Sequence, residues 1–248
     1  MPNPLRTSNP ALNEKTFRGE AALGEAMTLQ GTVNKTGLLL LFVVVASAWT
    51  WGLSHSNVPE AALPWMLGGL IGGFVVALVT IFKKSWAPVT APIYALLEGL
   101  ALGGISAMFE KAYPGVAMQA VGLTFGTLFV MLLAYKTGVI RATHGFKIGV
   151  IAATGGIAIF YVVEMALSFF FHIQVPAING SGFWGIAFSL FVVIIAALNL
   201  VLDFDMIETG VRGGAPKYME WYGAFGLMIT LIWLYLEILR LLAKARRR

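Results

Sequence analysis

Three carboxylic acids, Glu98, Glu164 and Glu237, lie inside long apolar runs, and Asp203 and Asp205 follow another such run. An ionised carboxylate in hydrocarbon costs a few kcal/mol or more, so such groups face a protein interior, hold a proton or pair. Two readings stand for Glu98 and Glu164, which have no charged neighbour in sequence. They are protonated acids hydrogen-bonded across helices, or members of a chain that passes protons or cations. Glu237 has Arg240 three residues on, the spacing of an intrahelical ion pair. Asn199 and Asp203 are four apart and share a helix face, while Asp205 points roughly the other way. Asp203 either marks the edge of an apolar run or faces a pore, and Asn199, one turn deeper, favours the pore.

Other chemistries find little support. His55, His144 and His172 fall in separate polar breaks, without the spacing of a metal site. No Gly-x-Ser-x-Gly elbow with His and Asp partners occurs, so hydrolase chemistry is not expected and the chain reads as a non-enzyme without cofactor. Arg212-Gly213-Gly214-Ala215-Pro216-Lys217 is Gly-rich but follows an acidic helix end, and reads as a turn rather than a phosphate loop. With no cysteine there is no disulfide, thiolate site or redox switch.

The elements that must position the acids are seven apolar runs: Gly37–Leu53, Pro64–Phe82, Ala91–Phe109, Val116–Tyr135, Ile148–Phe171, Phe183–Val201 and Trp221–Ala243. A hydrocarbon core of about 30 Å takes ~20 helical residues to cross, so each run can span a bilayer. The chain is 58% hydrophobic and 12% charged, and its mean hydropathy is +0.80. Such a surface needs lipid around it. Run length, and the lack of period-two alternation, predict helices rather than a barrel. A polar segment, 1–36, precedes a membrane domain, 37–248. It shows no early apolar stretch, so no cleavable signal is expected and the first span would direct insertion.

Charge gives an orientation. Arg6, Lys15, Arg18 and Lys35 precede the first run, and Ser54–Leu63 carries no Lys or Arg. Lys83 and Lys84, then Lys136, Arg141 and Lys147, then Arg212 and Lys217 mark alternate breaks, whereas Lys111 stands alone and His172–Gly182 has none. The bias puts the amino terminus and the even-numbered loops in the cytoplasm. The tail Lys244, Arg246, Arg247 and Arg248 then falls outside, against the rule, unless the last run turns back. Trp221–Ala243 has no Pro or central Gly pair to support such a turn, which favours a full crossing. The pI of about 9.5 reflects basic residues at run ends, not a nucleic-acid partner. Trp49, Trp51, Trp65, Trp86, Trp184 and Trp221 also sit near run ends, as interfacial anchors do. Gly68, Gly69, Gly72 and Gly73, then Gly99 and Gly103, then Gly149, Gly155 and Gly156, are read as close-packing sites between helices.

Several stretches carry a resemblance. Ser8-Asn9-Pro10-Ala11-Leu12 and Met27-Thr28-Leu29-Gln30-Gly31-Thr32-Val33-Asn34-Lys35-Thr36 resemble the opening segment of the bacterial, YccA-like branch of the Bax inhibitor family. Ile93 to Gly103 resembles its third span, Leu202-Asp203-Phe204-Asp205-Met206-Ile207 the end of its sixth, and Leu239-Arg240-Leu241-Leu242 its closing Leu-Arg-x-Leu. The resemblance implies an all-α seven-helix membrane bundle with the last helix central. It also implies a pH-sensitive Ca²⁺ leak, controlled by two buried aspartates and a basic latch residue.

Asp203 matches the first aspartate. Anchored on Leu239–Leu242, the register puts Thr230 where the second acid is expected; shifted to Leu234-Tyr235-Leu236-Glu237, it offers Glu237. A last helix starting near Glu220 would place Glu237 about 25 Å along it, at ~1.5 Å per residue. Asp203, read as about one and a half turns before the loop, would lie near the other face. For the latch, Lys83, Lys84 and Arg240 are the candidates. Asp203, Asp205, Asn199, Glu98, Glu164 and Glu237 are the candidate ion-path and pH-sensing residues, with transient Ca²⁺ at Asp203 and Asp205. Expected partners are the bilayer, Ca²⁺ or protons, and possible other membrane proteins; the expected location is a bacterial cytoplasmic membrane. The alternative to a channel is a membrane protein that binds and regulates others, such as a protease or stress factor.

Overall fold

The computed structural model describes residues 25–56, 58–172 and 180–247. The Ser8–Leu12 stretch, most of the His172–Gly182 break and Arg248 lie outside the described residues. Seven helices follow in order: α1 Leu29–Ser54, α2 Ala62–Phe82, α3 Ala87–Ala112, α4 Val116–Lys136, α5 His144–Phe171, α6 Phe183–Arg212 and α7 Met219–Arg246. All seven are long and apolar enough to cross a membrane. Short 3₁₀ turns at Pro59–Ala61 and Lys84–Trp86 lead into α2 and α3.

Local chemistry sets the ends, and two of them depart from the apolar runs. α1 starts at Leu29 rather than Gly37, because the Thr28 hydroxyl caps it by accepting the Gly31 N–H at 2.9 Å. α6 does not stop at Val201 but continues to Arg212, so Asp203 lies inside the helix rather than near its end. Its last turns carry an Arg212–Glu208 pair one turn apart, at 2.5 Å. α4 matches its run almost to the residue, since Gly115 at φ +83° supplies the left-handed turn that reverses the chain after α3.

α7 is central. It packs against α6, α1, α4 and α3. One core layer joins Leu231, Leu234, Ile238 and Leu239 of α7 to Leu200 and Val201 of α6 and Val116 and Ala120 of α4. A second joins Phe225 and Met228 to Leu39 and Val43 of α1 and Tyr94 and Leu102 of α3. α5 is peripheral and rests mainly on α6.

Small residues let α3 approach both its neighbours. Gly69 of α2 lies against the Leu97 carbonyl, Gly99 against the Val43 carbonyl of α1, and Gly103 against Ser47 and Thr50. Close backbone approach is what holds helices together where lipid removes the hydrophobic drive. The same expectation fails for Gly68, Gly149, Gly155 and Gly156, which face open space. Three of these lie on α5, whose few neighbours leave the small stripe uncovered.

The helices alternate in direction, and polar contacts mark both faces. Lys35 meets Glu220 at the face where α1 and α7 begin, the N-face. Where α7 ends, the C-face, Arg246 donates to the Pro114 carbonyl and to Gln119 Oε1, beside the α3–α4 turn. α7 therefore runs the full depth without turning back.

Candidate functional site

Asp203 lies nine residues before the end of α6, about 13 Å deep at ~1.5 Å per residue. Its carboxyl meets the hydroxyl of Thr230 on α7. The residue is partly buried, yet its Oδ2 is fully buried with no hydrogen-bond partner. An orphaned buried oxygen is costly in any interior and more so in a membrane. It is a place for a proton or a cation to sit. The register that reads Thr230 opposite Asp203 is the one the geometry matches, while Glu237 stands seven residues on, about 10 Å along α7.

The polar stripe inward from Asp203 is not continuous toward α7. Asn199 turns its amide to α5, donating to Thr154 Oγ1 at 2.8 Å and to the Ile195 carbonyl at 2.8 Å. Asp205 goes elsewhere too, pairing with Lys147 of α5. A shared Ca²⁺ position at Asp203 and Asp205 is therefore not formed, because residues two apart on a helix diverge. Among the described residues no group of three or more His, Asp or Glu could hold a metal ion.

A second acid closes the N-face. Glu220, in the first turn of α7, is fully buried. It pairs with Lys35 of α1, accepts the Thr28 N–H and the Thr28 hydroxyl at 2.8 Å each, and lies 3.4 Å from Lys217. Two helix amino termini converge on this carboxylate, so their dipoles favour its charge. Gly31 leaves room for the Glu220 carboxylate, which a Cβ there would displace. The chain before α1 is tied down as well, by Met27 N–H donating to the Ala215 carbonyl at 2.7 Å and by a single bridge from Ala26 to Pro216. Beside the cluster, the hydrogen bond to Glu25 holds the exposed Lys217 ammonium above its ordinary range.

The remaining acids are satisfied by neighbours. Glu237 takes Arg240 at 3.1 Å and the Tyr161 hydroxyl at 3.0 Å, so the pair expected from spacing forms and α5 is added to it. Glu98 lies against the Tyr94 hydroxyl one turn back, in space left by Gly73 of α2. Glu164 is partly buried on α5. The structure brings neither Glu98 nor Glu237 to Asp203.

The latch candidates divide. Arg240 is engaged with Glu237, and Lys84 stands over the Tyr222 ring at 5.4 Å. Lys83 is exposed at the end of α2. Lys35, which in sequence stands out only as an orientation signal, meets a buried acid as well, Glu220. Its clue was present, since Thr28, Gly31 and Lys35 all fall in the Met27–Thr36 stretch that carries the resemblance. At the C-face, Lys244 is buried and donates to Ser189 Oγ at 2.7 Å and to the Gly185 carbonyl at 3.2 Å, joining α7 to α6.

The model of the Bax inhibitor 1 like family matches residues 9–247. The chain belongs to that family. Neither curated proteins nor solved structures give a match to it. Membership agrees with the seven-helix membrane bundle, and it spans every element that carries an acid described above.

Proposed function

We propose that this Bax inhibitor 1 like protein is a pH-sensitive cation leak, with Ca²⁺ its principal ion, in a bacterial cytoplasmic membrane. The observation that carries the reading is the partnerless Oδ2 of Asp203 against the central helix. Ionised, that carboxyl needs water or a cation, and oxygen donors from carboxyl, hydroxyl and carbonyl suit Ca²⁺. Protonated, it needs neither, and the packed helices stay dry. The Glu220–Lys35–Thr28 cluster supports a closed N-face, since it ties the starts of α1 and α7 together. The basic residues concentrated at that face favour placing it in the cytoplasm.

Ca²⁺ entry into dye-loaded vesicles holding the pure protein, measured across pH, tests this. Leak should rise toward alkaline pH, and Asp203→Asn should flatten the profile while helix content is unchanged. Flux equal to protein-free vesicles at every pH would leave the alternative, a membrane regulator of other membrane proteins. Reporters fused after Val58 and at Arg248 should read external, and one after Thr143 cytoplasmic. A cytoplasmic signal at Arg248 would overturn the orientation of α7.

A further inference from the structure

A cavity of about 440 Å³ opens between α1 and α4, roofed by α3 and α7. It is within the ~300–1,000 Å³ range of small-molecule sites. Its inner wall is buried, with Val43, Leu102 and Met228, whereas Val44, Met118 and Phe125 at its rim are exposed. The cavity therefore opens sideways, toward where the hydrocarbon lies.

Its depth identifies the occupant. On α1 it runs from Leu40 to Trp51, about 16 Å at ~1.5 Å per residue. That is about half of a ~30 Å hydrocarbon core, the depth of one leaflet. The α3 and α4 residues that line it, including Glu110 and Met118, belong to the halves of those helices nearest the C-face. Trp51 ends it at the level where indoles anchor to headgroups.

The hydroxyls and the carboxylate in its wall are already satisfied. Ser106 and Tyr235 bond each other at 2.7 Å, and Thr124 and Ser47 donate to carbonyls on their own helices. Glu110 accepts the N–H groups of Gly115 and Ala117, at 2.5 and 3.1 Å. Water would find few partners there, and an apolar cavity of that kind takes an apolar guest. At the same end two exposed cations suit a phosphate headgroup: Lys111 at the end of α3, and Arg246, which also donates to the Pro114 carbonyl and Gln119 across the α3–α4 turn.

We propose that this cavity is a lipid site, holding one acyl chain of a phospholipid from the C-face leaflet with its phosphate near Lys111 and Arg246. The proposal does not depend on the leak reading.

The test uses the full chain in vesicles of phosphatidylethanolamine and phosphatidylglycerol, with a phospholipid carrying a diazirine midway along one chain. Photo-adducts are mapped by mass spectrometry. Val44, Ala48, Val121 and Phe125 should be labelled about tenfold more than Val162 and Val163, exposed on α5 in the same leaflet, a preference of about 1.4 kcal/mol. Ala48→Trp or Val121→Trp, each placed at the lipid-facing rim, should fill the cavity and remove the excess with helix content unchanged. Even labelling of the two sets would overturn the proposal, as would an excess that survives both well-folded variants. If neither variant folds, the wild-type map decides, together with the phospholipid that survives detergent extraction. One phospholipid per chain supports the site, and none rejects it.

Discussion

Glu220 and Asp203 are both acids at the α6–α7 side of the bundle, and their surroundings differ in kind. Glu220, at the N-face, has two lysines nearby and two hydrogen bonds from Thr28. Asp203 meets Thr230, ten residues further along α7 and about 15 Å deeper, and its Oδ2 has nothing. A fully compensated buried charge holds one arrangement. A partly compensated one changes its partners, its proton or its hydration when conditions change. The comparison assigns rigidity to the face and responsiveness to the interior.

The contrast breaks most readily at Glu220. Glu220→Ala leaves Lys35 facing the bundle and the Thr28 N–H without its acceptor. It should cost about 3 kcal/mol, the low end for a broken buried pair because Lys35 can reach the face. Thermal unfolding in detergent measures it. A loss under about 1 kcal/mol, the range of exposed pairs, would erase the distinction.

Asp203→Asn should change stability by no more than about 1 kcal/mol, since the amide keeps the shape and the Thr230 contact. Under the proposed function its effect falls on the pH profile of leak, which should flatten. A large loss of stability with an intact profile would reverse the roles assigned to the two acids. Asp203 and Glu237 sharpen the comparison further. A double-mutant cycle with Asp203→Asn and Glu237→Gln, read on leak rate, should show coupling below about 0.5 kcal/mol, because each acid has its own partners.

The smallest effect is expected at Lys217. Its ammonium is raised by Glu25, so whatever the contact contributes is complete below the ordinary lysine range and fades only as pH climbs through the raised value. Because the site is exposed, Lys217→Ala should leave the unfolding temperature unchanged at neutral and at mildly acidic pH. A clear drop would make Lys217 part of the clamp.

The sequence exposed the bundle readily, because crossing hydrocarbon demands unbroken apolar length and little else produces it. Helix ends were less legible. α1 reaches back through polar residues to a capping threonine, and α6 continues beyond its apolar run because Phe204 and Ile207 are buried there, with an exposed Arg212–Glu208 pair adding little. Local pairing could also be read: Glu237 and Arg240 are one turn apart and meet as expected. Lys35 and Glu220 are 185 residues apart, so no spacing rule joins them. Lys147 and Asp205 escaped for the same reason. The glycines of α5 were misread because a small-residue pattern states that close approach is permitted, not that a neighbour is present.

The central position of α7 bears on how the protein is made. Chains leave the ribosome in order, so α1 to α6 are inserted while the helix that all but α2 and α5 pack around is still being synthesised. Lys35 must wait for its acid through nearly the whole of translation. Until then the apolar faces of α1, α3, α4 and α6 that bury it lack their partner. Arrival of the last helix is thus the event that completes the interior, since both core layers are built on its side chains.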